Sequence, residues 1–249
     1  MSRPSESARK RSLGTVSSID VGNEDSWANS VFLTIDIDWA HDEVIHDTAD
    51  LLDQYKARAT WFVTHETPAL RRLENNPSFE LGIHPNFNWL LEGKGTNGKN
   101  AEEVVERLLS VVPDAKAVRS HSLVQGTPIM SIFADCHITH ACNNFVPAAA
   151  NIELKPWKAW TGLAEVPHLW ADDECLSVGH LLPIDELIAR RGLIVFDFHP
   201  IHVFLNSEAN ERYAGARPHL QDMAALNEHR NIAGSGSRDR LIQLLEVCS

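Results

Sequence analysis

The chain has 249 residues, 43% of them hydrophobic and 22% charged, a globular balance long enough to bury a core without disulfides or a structural metal. Lys+Arg of 22 against Asp+Glu of 34 leave a net charge of −12, which argues against nucleic acid or an anionic membrane surface as the main partner. No apolar run approaches the roughly 18 residues of a membrane span, and no apolar stretch follows the basic residues Arg3, Arg9, Lys10 and Arg11, so no secretion signal is expected.

Residues 1–29 are rich in serine, asparagine and charge without a period, and are expected to be a flexible arm before a single domain at 30–249. The run 31–37 predicts a buried strand. Residues 42–56 place Val44, Ile45, Ala49, Leu51, Leu52 and Tyr55 at helical spacings. A strand at 59–63, a short helix at 68–73 and a strand at 79–83 follow, then a loop rich in glycine and asparagine at 86–100. A helix at 101–112 carries Val104, Val105, Leu108 and Leu109 on one face, and a short strand is expected at 115–118. The second half is less regular. It predicts a helix at 129–133, strands at 136–139 and 163–166, a helix at 185–189 and a strand at 193–198. Helices at 220–226 and 238–247 are separated by Gly234-Ser235-Gly236. Strands alternating with helices predict an α/β domain on a parallel sheet, open or closed into a barrel.

In such folds the loops after the strands converge on one face, and chemistry gathers there. Thirteen histidines exceed what a core of this size needs, and several follow strand-like runs. The first strand ends on Asp36-Ile37-Asp38, and carboxylates two residues apart share one side of a strand. Others end at His84, at Arg119-Ser120-His121, and at Asp197-Phe198-His199-Pro200-Ile201-His202. Carboxylates and imidazoles bind zinc, and a further carboxylate can act as base toward water, so the set points to metal-assisted hydrolysis. Asp42 is read as a helix cap, and Asp197 as turned away from His199, either supporting the site from behind or structural. Trp170, with Asp172 and Asp173, offers either a sugar-stacking surface or a loop aromatic covering the barrel. His202 either touches substrate or satisfies a carbonyl. The four cysteines (Cys136, Cys142, Cys175, Cys248) lack C-x-x-C spacing and read as reduced thiols of a cytoplasmic protein.

Five short motifs occur in order: 34–38 (TIDID), 59–63 (ATWFV), 80–88 (ELGIHPNFN), Val118-Arg119 and 196–200 (FDFHP). Together they resemble the polysaccharide deacetylases of the NodB-homology group, over roughly 31–206. The HPNF and RSH segments are similar to its WbmS-like branch, associated with bacterial O-antigen synthesis. The resemblance implies a distorted (β/α)7 barrel that deacetylates an N-acetylated sugar, free or carrier-linked, with a divalent metal, zinc by preference. It makes Asp36 the catalytic base, Arg119 the residue holding it, His199 the general acid, and Asp38 and His84 metal ligands. The family's second motif histidine is Asn88 here, and an amide is a poor zinc ligand. His121 either restores the third ligand or lines the sugar site. Asn88, Trp170 and His202 are the candidate substrate contacts. A chitinase-like reading of Asp36-Ile37-Asp38 fails because Ala40 stands where the acid glutamate belongs. A deaminase-like barrel lacks H-x-H on the first strand. The alternative from another class is a silent barrel that binds a sugar or supports a glycan-synthesis complex, and Asn88 is the feature that favours it.

Overall fold

The computed structural model describes residues 11–178 and 182–248. Among these residues ten strands build one sheet: β1 Ser12–Gly14, β2 Ser30–Asp36, β3 Ala59–Val63, β4 Phe79–Ile83, β5 Ala117–Val118, β6 His140–Ala141, β7 Trp157–Lys158, β8 Ala164–Glu165, β9 Trp170–Ala171 and β10 Ile194–Phe198. Their order is β7-β8-β6-β5-β4-β3-β2-β10-β9, with β1 beside β2. Every pair is parallel except β7 with β8. The sheet curls into a distorted α/β barrel without closing as a ladder. Between β8 and β9 the gap is crossed by the segment 144–148, which hydrogen-bonds His168 and Leu169 through the backbone.

β2 and β10 explain why the fold centres here. Both are β-branched and aromatic runs buried on both faces, as parallel strands covered by helices must be. Among the described residues eleven α-helices accompany the sheet: α1 Asp42–Gln54, α2 Leu70–Glu74, α3 Asn88–Leu91, α4 Ala101–Leu109, α5 Thr127–Asp135, α6 Asp172–Val178, α7 Ile184–Ile188, α8 Pro200–Leu205, α9 Asn210–Ala216, α10 Met223–Glu228 and α11 Ser237–Cys248. α8 is buried along its length and packs on α1 and α11. α1 buries the predicted face of Val44, Ile45, Ala49, Leu51 and Leu52, but its cap is His41, whose Nδ1 accepts from the Glu43 N–H, and not Asp42. Asp42 instead accepts a hydrogen bond from Thr67.

Several short elements escaped the sequence reading: β1, β7, β9, α3, α6, α8 and α9. The strand expected at 136–139 forms later, at His140–Ala141, because α5 runs on to Asp135.

The flexible arm expected at 1–29 is corrected from Arg11 onward; residues 1–10 lie outside the described residues. β1 pairs with β2, and Val16, Ile19 and Trp27 are buried in the core. The Val16 N–H donates to Thr60 Oγ1 (2.9 Å), the Ser17 N–H to Glu80 Oε2 (3.1 Å), and His140 Nε2 meets the Ile19 carbonyl (2.8 Å). These partners lie at the starts of β3, β4 and β6, so the segment plugs the end of the barrel opposite the strand-end face. Three well-spaced apolar anchors sufficed where no period was visible.

Glu165, at the end of β8, is buried and accepts from Asn144 Nδ2 (2.8 Å). Burial pushes its carboxyl up to about 7, against the pull of that hydrogen bond.

Two expectations follow from this packing. A chain starting at Ala28 loses three buried side chains worth roughly 1.5–3 kcal/mol each, so its Tm should fall by about 10 °C or more in a thermal melt; an unchanged Tm would refute the plug. The folded state binds the Glu165 proton more tightly than the unfolded chain. Its contribution is therefore full below the ordinary carboxyl range and is lost as pH rises through about 7. Glu165→Gln should be relatively more stable at about pH 8 than at about pH 5, and parallel Tm–pH curves for the two proteins would contradict this.

Candidate active site

β2 ends at Asp36, and the next residues leave the strand through left-handed backbone at Asp38 (φ 37°) and Trp39 (φ 55°). The turn brings Asp38 over the end of β4, where His84 follows Ile83, and toward His121, which begins the turn after β5. Asp38 Oδ1 lies 3.2 Å from His84 Nε2 and 3.2 Å from His121 Nδ1, and the two ring nitrogens are 3.3 Å apart. Zinc–ligand bonds of about 2.0–2.1 Å at tetrahedral angles set ligand atoms about 3.3 Å apart. One carboxylate and two imidazoles therefore already stand at the edges of a three-ligand face, and the donor set fits a divalent metal with one position open. Burial works to raise the Asp38 carboxyl, but hydrogen bonds from His121 and His84 hold it well below its usual range. Burial disfavours the His121 cation, yet its bond to Asp38 raises the imidazole above its ordinary value.

Behind this face lies a second cluster. One Arg119 nitrogen, Nη1, donates to Asp36 Oδ1 (2.9 Å), to Thr34 Oγ1 (2.9 Å) and to Asp197 Oδ1, while Nε donates to the Cys142 carbonyl (3.2 Å). The guanidinium sits 4.8 Å over the Phe62 ring, which leaves Nη2 against an aromatic face. Phe62 has room because Gly82 faces it: a Cβ there would lie 2.9 Å from the ring and 2.6 Å from the Ala117 carbonyl. Burial pushes the Asp197 carboxyl well above its ordinary range; Arg119 opposes this and Asp36 adds to it. Asp36 Oδ2 also stands 3.4 Å from His84 Nδ1, although that nitrogen makes no aligned hydrogen bond.

On the other flank, His199 follows β10. Its Nδ1 pairs with Asp172 Oδ1 (2.7 Å) and its N–H donates to Asp172 Oδ2 (3.0 Å), while Nε2 points toward Asp38 Oδ2 at 3.7 Å. Burial disfavours the imidazolium, but Asp172, then Asp173, raise the group well above the usual histidine value. An imidazole held as a cation with its free nitrogen facing the cluster can deliver a proton there.

A cavity of about 270 Å³ is lined by Asp36, Asp38, His84, Arg119, His121 and His199 together with Ser120, His168 and Asp197. All six residues expected as catalytic or metal-binding thus meet in one cleft at the C-terminal ends of the strands. The three expected substrate contacts fare differently. Trp170 is corrected: it is 2% exposed and packed on Phe196 and Phe198, so no sugar can stack on it. Asn88 turns its amide to Ser122 Oγ (3.0 Å) and lines neither of the two cavities at the cleft. His202 is buried, meets Ser207 Oγ at 3.1 Å and lines the adjoining cavity.

Two residues with roles here went unassigned in the sequence. Asp172 is the partner of His199, and the two-residue β9 that places it is too short to show alternation. His168 lines the cavity fully buried, its imidazole driven well below the usual value by burial. The expected orientation of Asp197 is corrected: two residues before His199, it shares the interior face with it, as strand alternation requires, instead of turning away, and meets Arg119 there.

Comparison with known proteins agrees with this geometry. A family model described as WbmS-like polysaccharide deacetylase matches residues 33–217. A crystal structure from Bordetella bronchiseptica, described as a polysaccharide deacetylase involved in O-antigen biosynthesis, is 41% identical with a TM-score of 0.88, covering 94% of this chain and 97% of that one. A polysaccharide deacetylase structure from Mycobacterium smegmatis shares 15% identity at a TM-score of 0.51, covering 99% of this chain and 92% of its own, a likeness of fold alone. No curated protein matches in sequence. With the family model spanning the greater part of the chain and every motif it rests on gathered in one cleft, the chain belongs to the WbmS-like polysaccharide deacetylase family.

Proposed function

We propose that the protein hydrolyses the N-acetyl amide of a sugar in bacterial surface polysaccharide (O-antigen) biosynthesis, with zinc held by Asp38, His84 and His121. The observation that carries this reading is the triangle of ligand atoms at 3.2, 3.2 and 3.3 Å, flanked by a held carboxylate and a charged imidazole. The close likeness to a protein described as acting in O-antigen biosynthesis supports the substrate class. Among the described residues no helix is long and apolar enough to cross a membrane, and Cys136, Cys142 and Cys175 form no disulfide, which supports a reducing, cytoplasmic setting.

The chain's own groups divide the work. When bound, a divalent ion would supply Lewis-acid polarisation of the acyl carbonyl and the attacking water. Asp36, oriented by Arg119, takes a proton from that water as it attacks. His199, charged by its partnership with Asp172, protonates the departing nitrogen, which would otherwise leave as an amide anion. His168, kept neutral, adds no competing cation beside the carbonyl.

Metal analysis of purified, zinc-loaded protein tests the ligand set. His121→Ala should lose zinc nearly as completely as His84→Ala, whereas Asn88→Ala should keep most of it. Zinc retained by His121→Ala and lost from Asn88→Ala would make the amide the ligand. A wild-type chain that binds no divalent ion would leave the silent sugar-binding barrel as the reading. With an N-acetylated oligosaccharide, Asp36→Asn and His199→Ala should each lower kcat by roughly 10²–10⁴ with zinc content unchanged. Full acetate release by either variant would remove that residue from the mechanism.

A further inference from the structure

We propose that Asn88 is a positioning residue for the donor face: it clamps the turn after His121 and so sets that imidazole at its ligand distance, touching neither the ion nor the substrate. The inference rests on the reading of Asp38, His84 and His121 as the metal ligands. The two imidazoles are not held alike. His84 follows β4 directly, its side chain is 3% exposed, and its N–H donates to the Val63 carbonyl of the neighbouring strand (2.8 Å). The His121 side chain is 25% exposed and stands where the chain has already left β5, which ends at Val118. Packing fixes the first ring. The second needs other means.

The backbone beside His121 is strained. Ser122 (φ 56°) and Leu123 (φ 54°) are consecutive left-handed residues, neither of them glycine, and such backbone persists only where its neighbours hold it. Relaxation at Ser122 would change the angle at which His121 meets Asp38. Two bonds from the loop after β4 oppose this. The His121 N–H donates to the Pro85 carbonyl (3.0 Å), and Asn88 Nδ2 donates to Ser122 Oγ (3.0 Å). One grips the backbone of the ligand and the other grips the residue after it. The loop itself is firm: Phe87 is buried in the core, and the Asn88 N–H donates to Asn86 Oδ1 (2.9 Å). The Trp39 ring, on the turn that carries Asp38, packs edge-on against the same imidazole, with centroids 5.1 Å apart. A primary amide is a poor zinc ligand but carries two N–H donors, which suits Asn88 to holding a hydroxyl. The residues that follow one ligand thus aim the next.

The test is a double-mutant cycle on the full chain. It is read by zinc affinity against a competing chelator and by the visible spectrum of the cobalt-loaded protein. Asn88→Ala and Ser122→Ala should each weaken zinc binding roughly three- to ten-fold, too little to strip loaded protein. The double variant should bind no more weakly than the weaker single one, because all three lack the same bond. Each variant should shift the cobalt bands, which report the angles between ligands. The metal-free Tm should stay within about 2 °C of wild type. Variants that lower Tm but leave affinity and spectrum untouched would make the bond merely structural and overturn the proposal. Additive losses in the double variant would overturn it too. His121→Ala separates this inference from the reading beneath it. If that variant keeps zinc, the ligand set fails and the clamp with it. If it loses zinc while the Asn88 and Ser122 variants match wild type, the clamp alone falls.

Discussion

One buried cation sets the interior of this barrel. Arg119 reaches from the end of β5 to carboxylates on β2 and β10, so three strands are tied across the space they enclose. Each partner alone would be costly to bury, and breaking such a set by removing one member usually costs about 3–5 kcal/mol. A single guanidinium cannot balance two carboxylates, and burial pushes the Asp197 carboxyl well above its ordinary range. Asp36 shares the guanidinium and stands 3.4 Å from His84. The Phe62 ring under the guanidinium, and the bare backbone of Gly82 under that ring, extend the same constraint two layers outward. A methyl group at position 82 would therefore be felt at Asp36, although the two residues lie on different strands.

Around that anchor the site divides into parts with different chemical duties. The face made by Asp38, His84 and His121 gathers donors and excludes no ligand; its atoms are close because the strand ends converge. The pair His199 and Asp172 does the opposite, fixing a proton where burial alone would expel it. Separating the two along β2 and β10, neighbours in the sheet, keeps the cationic imidazole within 3.7 Å of the donor face without joining it.

Much of this was legible in the sequence because it sits on strongly patterned strands. β2, β3, β4 and β10 are runs of apolar residues ended by polar ones, so both the strands and the residues at their tips could be read, and the placement of His121 two residues past Arg119 followed. The failures share a cause. β9 is two residues long, and no periodicity survives in so short a piece; Trp170 reads as a sugar-stacking surface or a loop aromatic when it is a core residue, and nothing local marks Asp172 as the partner of His199. The plug at 12–27 was missed for a related reason. Its anchoring comes from three separated apolar residues and from bonds to Thr60, Glu80 and His140, contacts distant in sequence that leave no local pattern. The cap of α1 was a closer error, one residue off, since a histidine acceptor is less expected there than an aspartate.

The shortness of β9 has a bearing on how the molecule breathes. It is the last strand on its side of the sheet, paired to β10 through two residues, and edge segments of this kind open at a small fraction of the free energy needed to unfold the whole. Each such opening takes Asp172 away from His199 while β2, β4 and β5 stay closed around the donor face. The proton on His199 thus depends on a two-residue strand at an edge of the sheet, whereas the donor atoms follow β2, β4 and β5, which lie inside it. Mild denaturant or warming should uncouple those two properties long before the fold is lost, leaving a barrel that still gathers a cation but has let go of its acid.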